Sequence, residues 1–454
     1  MRLKRQSTNM NRLRITEAFA DCPQTACPAL DRYRQEGFSR FEALGWPTRA
    51  NESWHWTDAS PLAKAEFISP WSPGSAVLDD EHFSPIFLAG DAPSQLVFIN
   101  GRHCPKYDRT GQLPEGVEIV SLARLAQENP SAMAELLTKL PGSPESSFLA
   151  LADAFFHDGL WLNLAPGAVL EGPLHLIHIS TGADGPPASF PRMIITAGED
   201  SRASIVETYA GRGGGASLTG AVTEVCLAEK AEVVHCRIQE EGLGAFHWGL
   251  VRATQQASSR FHSHVVGLGG FWSRTEIEVL LAGEGAHAQL DGLYVGGGNR
   301  HLDHHTFVDH AVPMCTSNEA YRGILDGEAR GIFQGKVRVR QDAQKTEAHQ
   351  SNRNLLLSSK ARADAKPQLE ILADDVICSH GATIGELDEA ALFYLQSRGV
   401  GREEARRILV FAFAGAVADK IPVFDLRCRV DRMLASWLAG EENLDFDARV
   451  EVPA

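Results

Sequence analysis

The middle of the chain carries short runs of apolar and β-branched residues, separated by glycine and acidic turns. Helical spacing of apolar residues is nearly absent from about residue 150 to residue 385. Runs of this length and composition are typical of β-strands. Clear examples are 191-PRMIITAG-198, 203-ASIVETYAG-211, 231-AEVVHCRIQE-240 and 275-TEIEVLLAGEG-285. The pattern therefore predicts a mainly β core.

The turns that open these strands repeat along the chain. Charged or small residues lead into a strand at 199-EDSRASIVE, 229-EKAEVVHCR, 257-ASSRFHSHV and 284-EGAHAQLDG, at spacings of 30, 28 and 27 residues. Two related segments follow at 327-GEARGIFQG and 360-KARADAKPQ. A strand repeat of this period predicts the stacked rungs of a parallel β-helix, or β-solenoid. A β-sandwich with a similar number of strands is the alternative.

Helical spacing of apolar residues flanks this core on both sides. The N-terminal part carries it in 29-ALDRYRQEGFSRFEALG-45 and 121-SLARLAQENPSAMAELLTKL-140, with a strand-like 96-LVFING-101 between them. The C-terminal part predicts three helices, at 388-DEAALFYLQSRG-399, 402-REEARRILVFAFAGAVADKI-421 and 424-FDLRCRVDRMLASWLAG-440. Asp388 is the expected N-cap of the first of them, and Pro422 ends the second.

These patterns divide the chain into three expected domains. Residues 1–145 form a helical and mixed N-terminal domain, and 141-PGSP-144 marks its end. Residues 146–386 form the β-helix core, and residues 387–454 form a helical C-terminal domain.

Composition restricts the function classes. The formal net charge of −15 over 454 residues argues against binding to duplex nucleic acid. No stretch approaches the roughly twenty apolar residues of a membrane span. The basic start lacks the apolar region of a secretory signal, and an organelle-targeting start is the alternative. The eight cysteines are scattered without a CxxC pair, so we expect a cytoplasmic protein without a disulfide framework.

The densest cluster of potential metal ligands is 301-HLDHHTFVDH-310. In an extended strand His301, Asp303 and His305 share one face, and His304 lies on the other. Two histidines and a carboxylate are the ligands of many mononuclear iron sites. The alternative is a polar ladder on the surface of the solenoid, because short histidine-rich tracts are weak signals of a metal site.

A second candidate pair is Cys378 and His380, in 371-ILADDVICSHGATIG-385. Residues two apart in a strand point to the same face, so the thiol and the imidazole are expected side by side. A thiolate and a neutral imidazole both bind iron, and two such ligands at a strand edge form half of a site. The alternative is a small buried cysteine beside an ordinary polar histidine.

The chain lacks the sequence features of a nucleotide hydrolase. The segment 331-GIFQGKV-337 ends in Gly-Lys, but a phosphate loop needs a glycine at position 330 and a serine or threonine at position 337. Those positions hold Arg330 and Val337. We therefore expect no nucleotide to bind to this chain.

The region 319–400 resembles the SufB/SufD family of iron–sulfur cluster assembly proteins. The matching segments are RGILDGEARGIFQGKV, DAQKTEAHQSNRNLLLS, KPQLEILADDVICSHGATIG and LFYLQSRG. Weaker similarity extends upstream to 47-PTRANESWHWTD-58 and 301-HLDHHTFVDHAVP-313. The family carries a cysteine in SufB within the stretch that corresponds to 348–361, and this chain has none there, so the resemblance is closer to the SufD branch.

The resemblance implies a right-handed parallel β-helix flanked by helical domains. It implies a non-catalytic scaffold subunit that pairs with SufB through the β-helices. It also implies that the C-terminal helices bind the ATPase SufC. It leaves open a homodimer when SufB is absent.

The resemblance also assigns the candidate pair. His380 corresponds to a functional histidine of the family that faces a SufB cysteine, and Cys378 is its neighbour. The implied cofactor is a transient iron–sulfur cluster shared with SufB, and the implied function is iron acquisition and cluster assembly at that interface. The alternatives are a stand-alone metal-binding enzyme that uses His301, Asp303 and His305, a purely structural solenoid, or the SufB paralogue.

Overall fold

The computed structural model describes residues 12–72, 86–88, 94–140, 145–182, 185–212 and 215–440. The basic start up to residue 11 and the expected boundary at 141–144 lie outside the described residues.

Helices lie mainly in the two terminal parts of the described chain, and strands make up its middle. The helices are α1 (Pro28–Leu44), α2 (Ser60–Lys64), α3 (Leu122–Glu128), α4 (Pro130–Thr138), α5 (Ser147–Phe155), α6 (Glu389–Ser397), α7 (Arg402–Ala418) and α8 (Phe424–Leu438). The strands are β1 (Arg12–Arg14), β2 (Glu66–Ile68), β3 (Ser94–Ile99), β4 (Arg102–His103), β5 (Arg109–Thr110), β6 (Val117–Ser121), β7 (Gly159–Leu164), β8 (Val169–Thr181), β9 (Ala188–Ser189), β10 (Arg192–Ala197), β11 (Arg202–Arg212), β12 (Ser217–Leu227), β13 (Glu232–Glu240), β14 (Ala245–Gln255), β15 (Arg260–Gly267), β16 (Trp272–Leu281), β17 (His287–Gly296), β18 (His301–His310), β19 (Thr316–Leu325), β20 (Arg330–Val339), β21 (Glu347–Leu356), β22 (Arg362–Ile371) and β23 (Ile377–Gly385).

Most of these strands form two long sheets that the chain visits in turn. Sheet I has the order β22-β20-β18-β16-β14-β12-β10-β7-β6, and sheet II has the order β23-β21-β19-β17-β15-β13-β11-β8-β3-β4. From β11 to β23, parallel pairs join strands that are two places apart along the chain. This topology is a parallel β-solenoid, so the predicted core is confirmed and the β-sandwich alternative is wrong.

The register of sheet II reproduces the repeat in the sequence. Arg202 pairs with Glu232, Glu232 with Arg260, and Arg260 with His287. These steps equal the spacings between the turn segments. The segments at 327 and 360 do not continue this series, because they open β20 and β22, which pair in sheet I. The sequence therefore contains two interleaved repeats, one that opens the strands of sheet I and one that opens the strands of sheet II.

The turns before the sheet II strands share an unusual backbone conformation. At Asp200, Lys230 and Ser258 φ is 56°, in the left-handed region. A residue other than glycine costs about 1–2 kcal/mol there. The backbone N–H of Lys230 donates to the carbonyl oxygen of Ala257 in the next turn at 2.9 Å. The hydrogen-bond ladder thus continues through the turns and offsets part of this cost.

Helices from opposite ends of the chain cover the two outer faces of the solenoid. On sheet I, α5 and the segment around Trp54 pack against Trp248 and Trp272. On sheet II, apolar residues of α7 and α8 pack against a row that includes Leu293 and Ile324. No helix in the described ranges is long and apolar enough to span a bilayer.

The helix predictions are confirmed at the C-terminus and corrected at the N-terminus. Asp388 Oδ1 accepts from the backbone N–H of Ala390 at 2.8 Å and caps α6 as expected. The single helix expected over 121–140 is instead α3 and α4, because Pro130 lacks an N–H and begins a new helix that Asn129 caps. Helix α5 was not predicted. The strand expected at 96–101 is β3, and it extends sheet II.

The interior of the solenoid contains a buried ionic cluster. Arg237 Nη2 lies 2.8 Å from Glu207 Oε2, and His235 Nε2 lies 3.3 Å from Glu207 Oε1. The hydroxyl groups of Tyr209 and Thr223 also donate to this carboxylate. Burial alone raises the pKa of Glu207, but Arg237 and His235 outweigh it and hold the pKa well below its ordinary value. The cluster joins both sheets through their inward faces.

We expect Glu207→Leu to lower the free energy of unfolding by about 3–5 kcal/mol, because it leaves the Arg237 guanidinium buried without its ion-pair partner. Urea unfolding followed by circular dichroism measures this loss. The matched control is Glu328→Leu, which removes an exposed partner of Lys360. A urea midpoint for Glu207→Leu as high as that of Glu328→Leu would contradict a stabilising role of the buried Glu207–Arg237 pair.

Candidate functional site at the end of the solenoid

Cys378 and His380 lie on β23, the last strand of sheet II. This strand pairs with β21 along one edge, and over the described residues its other edge pairs with no strand. Cys378 is in register with Ala348, and His380 is in register with Gln350. Ala348 and Gln350 are buried inward-facing residues, so Cys378 and His380 share the inward face of the last rung. The same-face prediction is confirmed.

The thiol of Cys378 is half-buried against the end of the interior core. Burial raises its pKa above the ordinary value, and a hydrogen bond from the Ala348 backbone opposes this in part. The neutral thiol is therefore favoured in the isolated chain. All eight cysteines are free, as expected from their spacing. A metal must displace the thiol proton to bind here, since the thiolate is the ligand.

The imidazole of His380 is exposed, because no further rung covers it. Over the described residues, no group of three or more histidine, cysteine, aspartate or glutamate side chains has the geometry to hold a metal ion. Cys378 and His380 are therefore two neighbouring candidate ligands at an open end of the solenoid. They can complete a metal site only with ligands from elsewhere.

The cluster at 301–310 is arranged as the strand pattern predicted. His301, Asp303 and His305 point outward from β18, whereas His304 points inward and stacks on Tyr294 with ring centroids 4.6 Å apart. The outward groups already bind protein atoms. Asp303 Oδ2 accepts from Thr57 Oγ1 at 2.6 Å and from Arg274 Nη1 at 2.7 Å.

The remaining contacts of this cluster also serve the N-terminal segment. His301 Nε2 lies 2.9 Å from Thr57 Oγ1, and Arg274 Nη1 donates to the carbonyl oxygen of Ser53 at 2.9 Å. Burial raises the pKa of Asp303, but His305 and Arg274 outweigh it and lower the pKa below its ordinary value. The cluster anchors the segment 47-PTRANESWHWTD-58, and its outward groups His301, Asp303 and His305 already contact protein atoms.

Sequence reasoning did not identify the apolar rim around the pair. Ile377 and Ile384 on β23 and Leu372 just after β22 are large apolar side chains, and they are 61%, 49% and 57% exposed. The signal that could have identified them was the position of this strand as the last one of the repeat.

Two family models match this chain. Residues 178–413 match the SufBD core domain of the SUF system for FeS cluster assembly, and residues 14–176 match the SufBD protein N-terminal region. The chain belongs to the SufBD family. Membership supports a role in iron–sulfur cluster assembly, and it agrees with the resemblance found in 319–400.

Several SufBD relatives match along most of their length. An iron–sulfur cluster assembly SufBD family protein of Synechocystis is 32% identical over 405 residues, covering 87% of this chain and 88% of the relative. The iron–sulfur cluster assembly protein SufD of Escherichia coli is 28% identical over 409 residues, covering 89% and 92%. A chloroplastic protein of Arabidopsis thaliana, ABCI7, is 29% identical over 425 residues, covering 91% and 87%. The SufBD similarity therefore spans the N-terminal region, the solenoid and part of the C-terminal helices.

We expect Asp303→Asn to loosen the N-terminal segment of this SufBD protein, because Thr57 and Arg274 lose a charged acceptor. A net loss of about 1 kcal/mol corresponds to roughly fivefold faster exchange. Hydrogen–deuterium exchange of the amides in 47–58, read by mass spectrometry, measures it. Asp309→Asn is the control, since Asp309 on the same strand pairs with Arg340 instead. Equal exchange in the two variants would contradict the anchor.

Proposed function

We propose that this chain is a SufD-like scaffold subunit of a cytoplasmic SufB–SufC–SufD complex that assembles iron–sulfur clusters. It supports iron acquisition and cluster formation at its interface with SufB, and it catalyses no reaction itself. ATP hydrolysis occurs on SufC. The chain comprises three units, over 1–145, 146–386 and 387–454.

The observation that carries this proposal is the open last rung of the solenoid. β22 and β23 end the two sheets, and each has one edge without a partner strand over the described residues. The exposed apolar side chains of Ile377 and Ile384 lie on that rung. A second solenoid satisfies such edges by adding strands, as peptides do when they extend a sheet. The proposed occupant is the β-helix of SufB, and a second copy of this chain replaces it when SufB is absent.

Such an interface gives the half-site at Cys378 and His380 its missing ligands. SufB contributes the other ligands of the nascent cluster, which is the cargo of the complex. Cluster irons bind thiolate and imidazole groups. A site divided between two chains opens when the interface moves, so the cargo is released without unfolding either chain. Four ligands on one rigid chain would retain it.

The C-terminal helices are positioned to transmit such a movement. β23 ends at Gly385 and α6 begins at Glu389, so the last rung is joined to the helices by a very short link. On these helices Phe393 and Phe424 are 72% and 64% exposed, and Tyr394 is also exposed. Exposed aromatic residues of this size are typical of protein interfaces. We assign this surface to SufC.

We expect His380→Ala to leave the complex assembled and to reduce the cluster formed in reconstitution at least about tenfold, because a ligand is lost. Size-exclusion chromatography measures assembly, and absorption with iron and sulfide analysis measures the cluster. Thr383→Ala is the control for an exposed change on the same strand. A yield from His380→Ala that equals the control yield would overturn the assignment of the half-site.

We expect Phe393→Asp to weaken SufC binding at least about tenfold, because a charge replaces an exposed aromatic side chain that the proposed complex would bury. Isothermal titration calorimetry with purified SufC measures the dissociation constant. Leu243→Asp is the control, since Leu243 is an exposed apolar residue in a turn of the solenoid far along the chain from α6. Unchanged SufC affinity in Phe393→Asp would remove this helix from the interface.

A further inference from the structure

The residue directly below His380 in the solenoid is Gln350. The two positions are in register on neighbouring strands, β21 and β23. Gln350 is 3% exposed, and its side chain lies in the interior. Neighbouring parallel strands lie about 4.8 Å apart, so an imidazole turned inward from β23 reaches the level of this amide.

Hydrogen bonds fix the orientation of the Gln350 amide. Its Nε2 donates to Glu319 Oε1 at 3.2 Å, and Thr306 Oγ1 donates to Glu319 Oε2 at 2.5 Å. Burial without a paired cation raises the pKa of Glu319 to about 7. Above that pH the ionised Glu319 carboxylate can only accept hydrogen bonds. The Gln350 amide must therefore turn its N–H groups toward Glu319. The carbonyl oxygen of Gln350 is left to face elsewhere.

That carbonyl oxygen, Oε1, is buried and has no hydrogen-bond partner in the protein. An acceptor in the interior without a partner is unusual, since most buried polar atoms are satisfied. The space for the amide depends on Gly335 across the interior, because a Cβ there would lie 2.2 Å from Gln350 Nε2. The fold thus makes room for a glutamine and leaves its acceptor atom unused.

We propose that Gln350 is a positioning residue for His380, whose ring N–H it accepts when the other ring nitrogen binds iron. This inference rests on the proposed function, since it needs His380 as a ligand. Histidines that bind metals almost always donate their second ring N–H to an oxygen acceptor, which fixes the ring and its tautomer. Gln350 Oε1 is an acceptor already held in one orientation by Glu319, and it lies one rung below His380.

The test compares Gln350→Met and Asn352→Leu in the reconstituted SufB–SufC–SufD complex at pH 8. Methionine removes the acceptor while it keeps a similar length. Asn352 is the matched control, because it is buried on the same strand, bonds to Tyr294 and lies in register with Ala382 instead of His380. Iron affinity is measured by titration with Fe(II). Pulsed EPR of the reduced cluster measures the coupling of both imidazole nitrogens.

We expect Gln350→Met to lower iron affinity about 10–100-fold. It should also change the quadrupole coupling of the remote nitrogen, the ring nitrogen of His380 that does not bind iron. The coupling of the iron-bound ring nitrogen should persist. Asn352→Leu should match the wild type in both measurements. An unchanged quadrupole coupling of the remote His380 nitrogen in Gln350→Met would overturn this inference and leave the proposed function standing. A wild-type cluster without any imidazole coupling would overturn both this inference and the proposed ligand.

Discussion

A parallel β-solenoid passes the backbone hydrogen bonds of each rung to the next rung, and its last rung has no successor. In this chain β22 and β23 occupy that position, with one unpaired edge each over the described residues. Native proteins usually protect such edges with charges, bulges or covering segments. Here Ile377 and Ile384 remain exposed on the last strand. The need for a successor strand places Cys378 and His380 where a second chain can reach them.

The other parts of the fold hold the solenoid, and with it the last rung, in place. Helices cover both outer faces of the solenoid, and the N-terminal segment is held on sheet I through Asp303 and Arg274. The interior carries several buried polar networks, among them the Glu207 cluster and, near the end of the solenoid, the Glu319–Gln350 pair. In the first, Arg237 and His235 hold the Glu207 carboxylate. In the second, Gln350 Oε1 has no hydrogen-bond partner and lies one rung below His380.

Much of the fold was predictable from the sequence, because the solenoid repeats its turns at a nearly constant period. The register at Arg202, Glu232 and Arg260 follows directly from that period. The same-face placement of Cys378 and His380 follows from strand geometry. The role of Asp303 was not predictable, since its partners Thr57 and Arg274 are distant in sequence. The role of Gln350 was not predictable for the same reason, because it depends on contacts with residues on neighbouring rungs, Glu319 and His380.

The most direct test of the central claim is the exchange of the backbone amides in 377–385 with deuterium, in the chain alone and in the complex with SufB. Pairing of the last rung with a second solenoid predicts strong protection of the unpaired amides of β23 in the complex, and fast exchange in the monomeric chain. Amides in the central strand β17 serve as an internal reference, since they are paired on both sides in either state. Equal exchange of 377–385 with and without SufB would contradict the account.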